Sequence, residues 1–334
     1  FVAPSDSQIM RWATPNERII DGNLYDVTAI QANNVLAAGQ LAYLTPINEV
    51  WFNYSPRGVM DGDEDAVKWY ATCSQIAREV LAQSNFYQTV HEVFLARGWA
   101  GTAAMLCEMN EDNRLWFKYL DPGWFYISEN ARDIVDCVSR EIVLTHREAL
   151  QLFGEDNLPQ VAKEAVKQNK PTSLDNKLDY VQLIFKRPDE WRSKSEKGEY
   201  ADDGANKPYA DVYFCKDSGE VCRDGGYDEF PVFVTRWKRM RGEEYGISPA
   251  MEVLPEIREL NYARANSAMI AELAAKGRYL VPDNLDGQVD WSPGGQTVFD
   301  SNRPDSKPVN WGPSGNQAMS LLEEIRDMRA VVNA

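Results

Sequence analysis

Two histidines, His91 and His146, are the first residues to consider for metal or acid–base chemistry. Each lies in a segment with helical periodicity, and neither has a cysteine or a second histidine near it in the sequence. Metal ligands normally come in clusters, because one side chain alone does not hold an ion. We therefore expect both histidines to be structural, and we predict neither a metal site nor a cofactor.

A serine in the segment Gly246–Ala250 comes close to the G-x-S-x-G turn that presents a nucleophilic serine in hydrolases. The final glycine of that motif is missing, and Pro249 stands where a backbone N–H would have to stabilise an oxyanion. Serine is a preferred N-cap residue, and proline is favoured in the first helical turn. We predict that Ser248 caps a helix and is not a nucleophile.

Other enzymatic signals are weak. The sequence contains neither a G-x-x-x-x-G-K-[ST] phosphate loop nor a G-x-G-x-x-G fingerprint, so we predict no nucleotide-driven motor. Adjacent carboxylates such as Glu243–Glu244 and Asp202–Asp203, with ten tryptophans, leave a carbohydrate-active virion or secreted enzyme open as an alternative. Adjacency means little among 51 acidic residues, and no metal-binding carboxylate cluster of a nucleic-acid-processing enzyme is recognisable. We predict that the protein is not an enzyme.

Charge and composition limit the partners. The chain has 334 residues, of which 44% are hydrophobic, and its 35 basic and 51 acidic residues give a formal net charge of −16. The protein therefore does not hold nucleic acid through a generally basic surface. The most apolar run, Val27–Leu44, is interrupted by polar residues, so we expect no membrane association. The five cysteines form no C-x-x-C pair, which predicts reduced and mainly buried thiols.

One basic cluster contrasts with the acidic composition. It comprises Arg236, Lys238, Arg239 and Arg241, interleaved with Trp237. Two interpretations remain open: the cluster is a salt-bridged surface facing acidic neighbours, or it contacts phosphates or an acidic partner. In the second case Lys186, Arg187 and Trp191 are further candidate contacts.

Helical periodicity dominates the beginning of the chain. A first helix is predicted from Asp21 or Asn23 to Pro46, a second follows the acidic cluster Asp61–Asp65, and a third is capped by Ser84–Asn85. Four runs with strand character follow, and we predict that they form one small antiparallel sheet. These runs are Thr102–Cys107, Arg114–Tyr119, Trp124–Ile127 and Ile134–Leu144.

A helical region and a second strand-rich region come next. Thr145 is predicted to begin a helix that Gly154 ends, and Pro159 to open a further helical stretch. Two helices or one broken helix both remain open. Alternating residues between Leu178 and Phe233 then predict an inserted small β domain. Its strands are Tyr180–Phe185, Ala210–Phe214 and Pro231–Thr235.

The last part of the chain is again helical. A long helix is predicted from Ser248 to Gly277, with a kink at Pro255. A stretch rich in glycine and proline follows, with strand candidates at Val289–Trp291 and Val298–Phe299, and then another helix. These elements predict the α+β class. Because the sequence begins without methionine and stops within a helical pattern, we expect it to belong to a longer chain.

Three groups of motifs extend in order over nearly the whole chain. They are Leu24–Asp26, Asn34–Gly39 and Pro46–Phe52; Ser84–Tyr87, Glu92 and Gly101–Ala104; and Phe230–Trp237, Gly242–Glu243, Tyr245–Ala250, Leu254–Pro255 and Leu260–Asn261. Each motif is weak by itself. Together they resemble the head-to-tail connecting (portal) protein family of short-tailed bacteriophages, the podoviruses.

The resemblance implies a phage portal fold with a wing, a helical stem and a β-rich clip, assembled as a dodecameric ring around an axial channel. On this chain it implies a wing in residues 1–145, stem helix regions in 146–177 and 247–278, and a clip in 178–246. Residues 279–334 would complete the wing and begin a tunnel helix. The crown would lie beyond the last residue.

The resemblance also implies a place and a set of partners. The ring would lie at the head-tail vertex of the virion, after assembly in the host cytoplasm, and double-stranded DNA would pass through it without sequence-specific contacts. The implied protein partners are further copies of the chain, the terminase large subunit, a tail adaptor protein, and the major capsid and scaffolding proteins.

Candidate contact residues follow from these assignments. Glu252, Glu256, Arg258, Glu259 and Arg264 are expected to face the tunnel. Partner contacts at the clip are expected from Lys186, Arg187, Trp191, Arg236, Trp237, Lys238, Arg239 and Arg241. An acidic lining would let DNA slide, because a basic lining would bind phosphates by releasing counterions. Isolated cations such as Arg258 or Arg264 would make transient contacts.

Overall fold

The computed structural model describes residues 24–57, 63–110, 112, 114–168, 171–193, 203–276, 279–280, 309–310 and 315–333. The chain divides into two compact units, one containing Asn33–Glu252 and the other combining Asp21–Ala32 with Val253–Ala334. Both helices and strands are abundant, which confirms the predicted α+β class. Within the described ranges, no helix is long and apolar enough to cross a membrane.

The elements are numbered in chain order. The helices are α1 (Thr28–Leu44), α2 (Glu64–Gln83), α3 (Phe86–Ala100), α4 (His146–Phe153), α5 (Gln160–Gln168), α6 (Pro171–Leu174), α7 (Pro249–Glu252), α8 (Leu254–Lys276) and α9 (Gly315–Asn333). The strands are β1 (Thr102–Met109), β2 (Leu115–Leu120), β3 (Phe125–Glu129), β4 (Val135–Thr145), β5 (Lys177–Lys186), β6 (Tyr209–Cys215), β7 (Val221–Tyr227), β8 (Val232–Arg236), β9 (Lys238–Arg239), β10 (Gly246–Ile247), β11 (Tyr279–Leu280) and β12 (Val309–Asn310).

The first helices begin at polar side chains that accept backbone N–H groups. Asp63, in the predicted acidic cluster, caps α2 by accepting a backbone N–H at 3.0 Å. Thr28 begins α1, and its N–H donates to Asp26 Oδ1 at 2.8 Å. The predicted caps Asp21 and Asn23 lie outside the described residues.

The central helix of the first unit is α3. On one side, Val90 and Phe94 pack against Ala37 of α1. On another side, Val93 and Ala96 pack against β1 and β2. Helix α3 therefore joins the helical layer to a sheet.

Asn85 precedes α3, as predicted, but its side chain does not cap the helix. Its Nδ2 donates to the carbonyl of Phe117 at 2.6 Å, and its Oδ1 accepts the N–H of Phe117 at 2.8 Å. Asn85 therefore fixes the beginning of α3 to β2, a role that the sequence pattern did not indicate.

Two antiparallel sheets complete the first unit, with strand orders β2-β1-β8 and β3-β4-β5-β6-β7. The prediction of one small sheet from β1 to β4 is wrong, because these strands divide between both sheets. The predicted inserted β domain is not a separate body either: β5 pairs with β4, and β8 pairs with β1, Thr102 opposite Arg236. Alternation predicts a strand but not its partner, which distant residues supply.

One face of the five-stranded sheet carries two apolar cores. Between the two sheets, Val138 and Ile184 pack with Leu106 of β1. Beneath α4 and α5, Tyr180 of β5 packs with Phe153 of α4. The short helices within residues 146–177 therefore cover a sheet that the strands of residues 178–246 help to build.

Helix α4 forms where its sequence predicts. Thr145 Oγ1 accepts the N–H of Glu148 at 3.2 Å, and the Glu148 carboxylate accepts the N–H of Thr145 at 2.8 Å. This backbone hydrogen bond lowers the pKa of Glu148. Gly154, with φ of 75°, ends α4, so the region contains separate helices and not one broken helix.

The second unit contains α8 and α9. Leu260 of α8 and Ile325 of α9 belong to one buried apolar cluster. The segment before α1 joins them, since Asp26 pairs with Arg329 at 2.6 Å and Asn261 Oδ1 accepts the N–H of Tyr25 at 2.8 Å. Two short strands, β11 and β12, pair antiparallel.

The long helix predicted after Ser248 is interrupted. Helix α7 ends at Glu252 and α8 begins at Leu254, so the break precedes the kink that was predicted at Pro255. Proline is tolerated in the first turn of α8, because its missing N–H has no intrahelical partner there. The strand candidates Val289–Trp291 and Val298–Phe299 lie outside the described residues.

Candidate functional site

Two motif segments that are distant in sequence meet in the first unit. These signature segments are Gly101–Ala104 and Tyr245–Ala250. The N–H of Gly246 donates to Thr102 Oγ1 at 2.7 Å, and the N–H of Trp237 donates to the carbonyl of Gly101 at 2.9 Å. Gly101 has φ of 79°, and a Cβ on it would lie 2.2 Å from the carbonyl oxygen of Gly246. The close approach of the two backbones therefore requires glycine.

Ser248 adds further hydrogen bonds to the junction, which is the contact between the two signature segments. Its hydroxyl donates to the carbonyl of Trp99 at 2.9 Å and accepts the N–H of Met251 at 2.9 Å. The side chain is fully buried. The prediction that Ser248 is an N-cap is confirmed, and its hydroxyl is engaged in holding α7 to the end of α3.

The basic cluster lies directly beside the junction, and two of its arginines share one carboxylate. Arg236 Nη2 lies 2.6 Å from Glu129 Oε1, and Arg239 Nη2 lies 2.5 Å from Glu129 Oε2. The Glu129 side chain is only 8% exposed, so this charge is largely removed from water. Asp133 adds a longer contact to Arg239, at 3.5 Å.

The remaining residues of the cluster differ in their contacts. Lys238 pairs with Glu252 at 2.5 Å, and the guanidinium of Arg97 lies 5.5 Å from the ring centre of Trp237. Arg241 is exposed in the turn that follows β9. Three of the four cations are thus paired with acidic side chains of the same chain, as the first of the two interpretations predicts. Contact with partners stays a prediction.

An open concavity of about 620 Å³ adjoins the cluster. Its charged lining residues are Glu129, Asp133, Arg239, Arg241, Glu243 and Glu244. Acidic side chains outnumber basic ones in this lining, so its charge does not favour an anion.

The other three candidate clip residues lie at the far end of β5. Arg187 is 7% exposed and is fixed by Asp224 at 2.6 Å and by the carbonyl of Gly225 at 3.1 Å. Lys186 is exposed, and Trp191 is 64% exposed, with its ring 6.2 Å from that of Phe185. Arg187 is therefore bound within the sheet, whereas Lys186 and Trp191 are accessible to partners.

The candidate tunnel residues belong to two helices. Glu252 ends α7, and the other four lie on α8. Arg258 and Glu259 are exposed, while Glu256 and Arg264 are half-buried. Several copies would be needed to form a tunnel lining, so this assignment stays a prediction.

A buried polar chain across three strands was missed at the level of the sequence. Arg140 Nε of β4 donates to Gln182 Oε1 of β5, and Gln182 Nε2 donates to Asp211 Oδ1 of β6 at 2.6 Å. Gln182 and Asp211 are each 1% exposed, and burial raises the pKa of Asp211. The available signal was Gln182 itself, a polar residue in phase with the inward Tyr180 and Ile184.

The histidines and cysteines show no arrangement for metal binding in the described part of the chain. His146 is buried at the start of α4, and burial lowers its pKa. His91 is half-buried in α3. All five cysteines are free; Cys215 and Cys222 are buried and the others are half-buried, so the prediction of mainly buried thiols holds only in part.

Comparison with known proteins adds an independent line of evidence. A sequence model of the family described as "Bacteriophage head to tail connecting protein" matches residues 1–334. The portal protein of Salmonella phage epsilon15 is 26% identical over 341 residues, which cover 100% of this chain and 59% of that protein. The probable portal protein of Bordetella phage BPP-1 is 26% identical over 317 residues, covering 93% of this chain and 55% of that protein. The chain thus spans less than two thirds of either relative.

Proposed function

Because the chain belongs to the bacteriophage head to tail connecting protein family, we propose that it is the subunit of a portal ring through which double-stranded DNA is packaged and ejected. The observation that carries the proposal is the match over residues 1–334, with two relatives named as portal proteins. The role of such a connector is structural, which agrees with the prediction of a protein that is not an enzyme.

The proposed wing, clip and stem regions draw residues from both units. Residues 1–145 and 279–334 are assigned to the wing, residues 178–246 to the clip, and residues 146–177 and 247–278 to the stem. The assignment of 247–278 is supported by α8, whose 23 residues extend over about 35 Å. The short helices α4 and α5 contribute less length, and they bury their apolar sides against the five-stranded sheet.

The charge of the chain supports a channel through which DNA slides. A dodecamer would multiply the net charge of −16, and acidic groups repel a polyanion over roughly one Debye length, about 8 Å in physiological salt. Glu256 and Glu259 on α8 would supply this repulsion, and Arg258 and Arg264 transient attraction. A channel of this kind binds duplex DNA weakly and with a shallow salt dependence.

The partners proposed for the ring are those of a head-tail vertex: the terminase large subunit during packaging, a tail adaptor afterwards, and the major capsid and scaffolding proteins around it. Exposed Trp191 and Lys186 at one end of β5 are accessible for such contacts. The proposed location is the virion, after assembly in the host cytoplasm.

Mass photometry and negative-stain electron microscopy of the purified full-length protein test the ring. We expect particles of dodecameric mass with a central hole wide enough for duplex DNA. A stable monomer at micromolar concentration, or a closed oligomer without a hole, would contradict the proposal. Screening the same sample against polysaccharides tests the carbohydrate-active alternative, and sustained turnover would favour that alternative.

A further inference from the structure

A crevice of about 290 Å³ lies in the first unit beside the chain of buried polar residues. It is lined by two cations, Lys118 of β2 and Arg140 of β4, and by the aromatic rings of Tyr119, Trp124 and Phe125. Leu120, Ile142 and Val143 complete its apolar part, and Asp121 and Glu141 are its acidic members. Its size is near the lower limit for pockets that hold small groups.

Neither acidic member of the crevice forms an ion pair with its two cations. Glu141 pairs with Lys216 at 2.9 Å and is therefore committed within the fold. Asp121 lies near Tyr119, whose pKa is raised by burial and by this carboxylate.

Lys118 forms no ion pair with any carboxylate of the described ranges. Desolvation and the neighbouring charge of Arg140 lower its pKa, and Glu108 offsets this only in part. Two positive groups held together on one concave surface attract an anion, because the anion relieves their mutual repulsion.

Two buried polar side chains, Gln182 and Asp211, hold Arg140 in place. Its Nε donates to Gln182, and Gln182 donates to Asp211, so two residues of 1% exposure orient one guanidinium. Burying such groups gains little stability, since well-packed apolar residues are often equivalent. Arg140 is thus a lining residue of the crevice that a buried partner holds in one orientation, which is the arrangement of a preorganised binding residue.

We propose that Lys118 and Arg140 bind the carboxylate of an acidic side chain on a partner polypeptide, whose neighbouring aliphatic atoms contact Trp124. A guanidinium and an ammonium match one planar monoanion. Duplex DNA fits poorly, because it presents repeated phosphates on a broad convex surface, whereas the crevice has a volume of only about 290 Å³. The site belongs to a single chain, so the inference does not depend on ring formation.

The test uses the reactivity of the Lys118 amine in the full-length protein. The protein is treated with an acetylating N-hydroxysuccinimide ester at about pH 8, and acetylation of each lysine is followed by mass spectrometry. A blocked peptide containing two glutamates is added at millimolar concentration, and its glutamine counterpart serves as the control. Lys167, exposed on α5, is the reference lysine.

We expect the glutamate peptide to slow acetylation of Lys118 about fivefold when it occupies about four fifths of the sites. The glutamine peptide should have no effect, and Lys167 should react at an unchanged rate. Arg140→Gln should abolish the protection, whereas Arg132→Gln, at an exposed position, should keep it. If Arg140→Gln does not fold, the two peptides on the unaltered protein decide the question.

Two results would overturn the inference. One is equal acetylation of Lys118 with either peptide up to the solubility limit. The other is protection of Lys118 by inorganic phosphate or a short DNA duplex at concentrations where the glutamate peptide gives none, which would assign the cations to phosphate groups.

Discussion

Glu129 and Arg236 form an ion pair of 2.6 Å that connects the two sheets of the first unit. Glu129 is the last residue of β3 in the five-stranded sheet, and Arg236 is the last residue of β8 in the three-stranded sheet. Their side chains are only 8% and 14% exposed, so water solvates neither charge well. Removing Glu129 leaves Arg236 without its carboxylate, whereas Glu129 also pairs with Arg239.

Glu129→Gln is therefore expected to destabilise the protein by about 3 to 5 kcal/mol, the usual loss when one member of a buried ion pair is removed. Urea unfolding followed by circular dichroism measures this loss. Asp133→Asn is the matched control, because Asp133 also contacts Arg239 but is 77% exposed. It should change stability by less than about 1 kcal/mol. Equal effects of the two substitutions would show that the buried pair contributes no more to stability than the exposed contact does.

Gly101→Ala should be much more harmful than Gly154→Ala, although both glycines end a helix with positive φ. At Gly101 a Cβ would lie 2.2 Å from the carbonyl oxygen of Gly246, whereas at Gly154 nothing lies within 4 Å. We expect a loss of about 3 kcal/mol or more at Gly101 and about 1 kcal/mol at Gly154, measured by urea unfolding. Similar losses would mean that the junction adapts to a side chain.

Asp211→Asn is expected to stabilise the protein at neutral pH. Burial raises the pKa of Asp211 above its unfolded value, although Gln182 and Arg223 act in the opposite direction. A raised pKa means that Asp211 contributes most to stability below its unfolded pKa of about 3.9 and loses this contribution as the pH rises through the folded pKa. Asparagine keeps an acceptor for Gln182 and carries no charge.

The advantage of Asp211→Asn should accordingly be large near pH 7 and should shrink as the pH approaches about 4. Urea midpoints of both proteins across this range measure it. An advantage that stays constant with pH would mean that the gain has a cause other than the buried charge.

Ser248→Ala should cost more than Thr145→Ala. Both residues cap a helix, and loss of a cap costs about 1 kcal/mol. Ser248 is fully buried and also donates to the carbonyl of Trp99, which would lose its partner at a further cost of about 1 to 3 kcal/mol. Thermal unfolding of the two variants compares them. A larger effect of Thr145→Ala would contradict the role of Ser248 at the junction.

Local signals in the sequence determined the helices and several of their ends. Ser248 caps α7 as predicted, Thr145 caps the helix α4 that it was predicted to begin, and Asp63 of the acidic cluster predicted before α2 caps that helix. A cap acts on backbone groups within three residues of itself, so its signal is local. Gly154 ends α4 for an equally local reason, its positive φ. The resemblance to the portal family likewise depended on short motifs and their order, and the family match confirmed it.

Only the tertiary structure decided which strands pair and which acidic side chains pair with the basic cluster. Alternation located β1 and β8 but could not reveal that Thr102 stands opposite Arg236, since residues far apart in sequence choose the register. Composition gave a basic cluster, and only the fold brought Glu129 to it. Hydrogen bonds and ion pairs act over a few ångströms, so their partners are known only when the chain has folded.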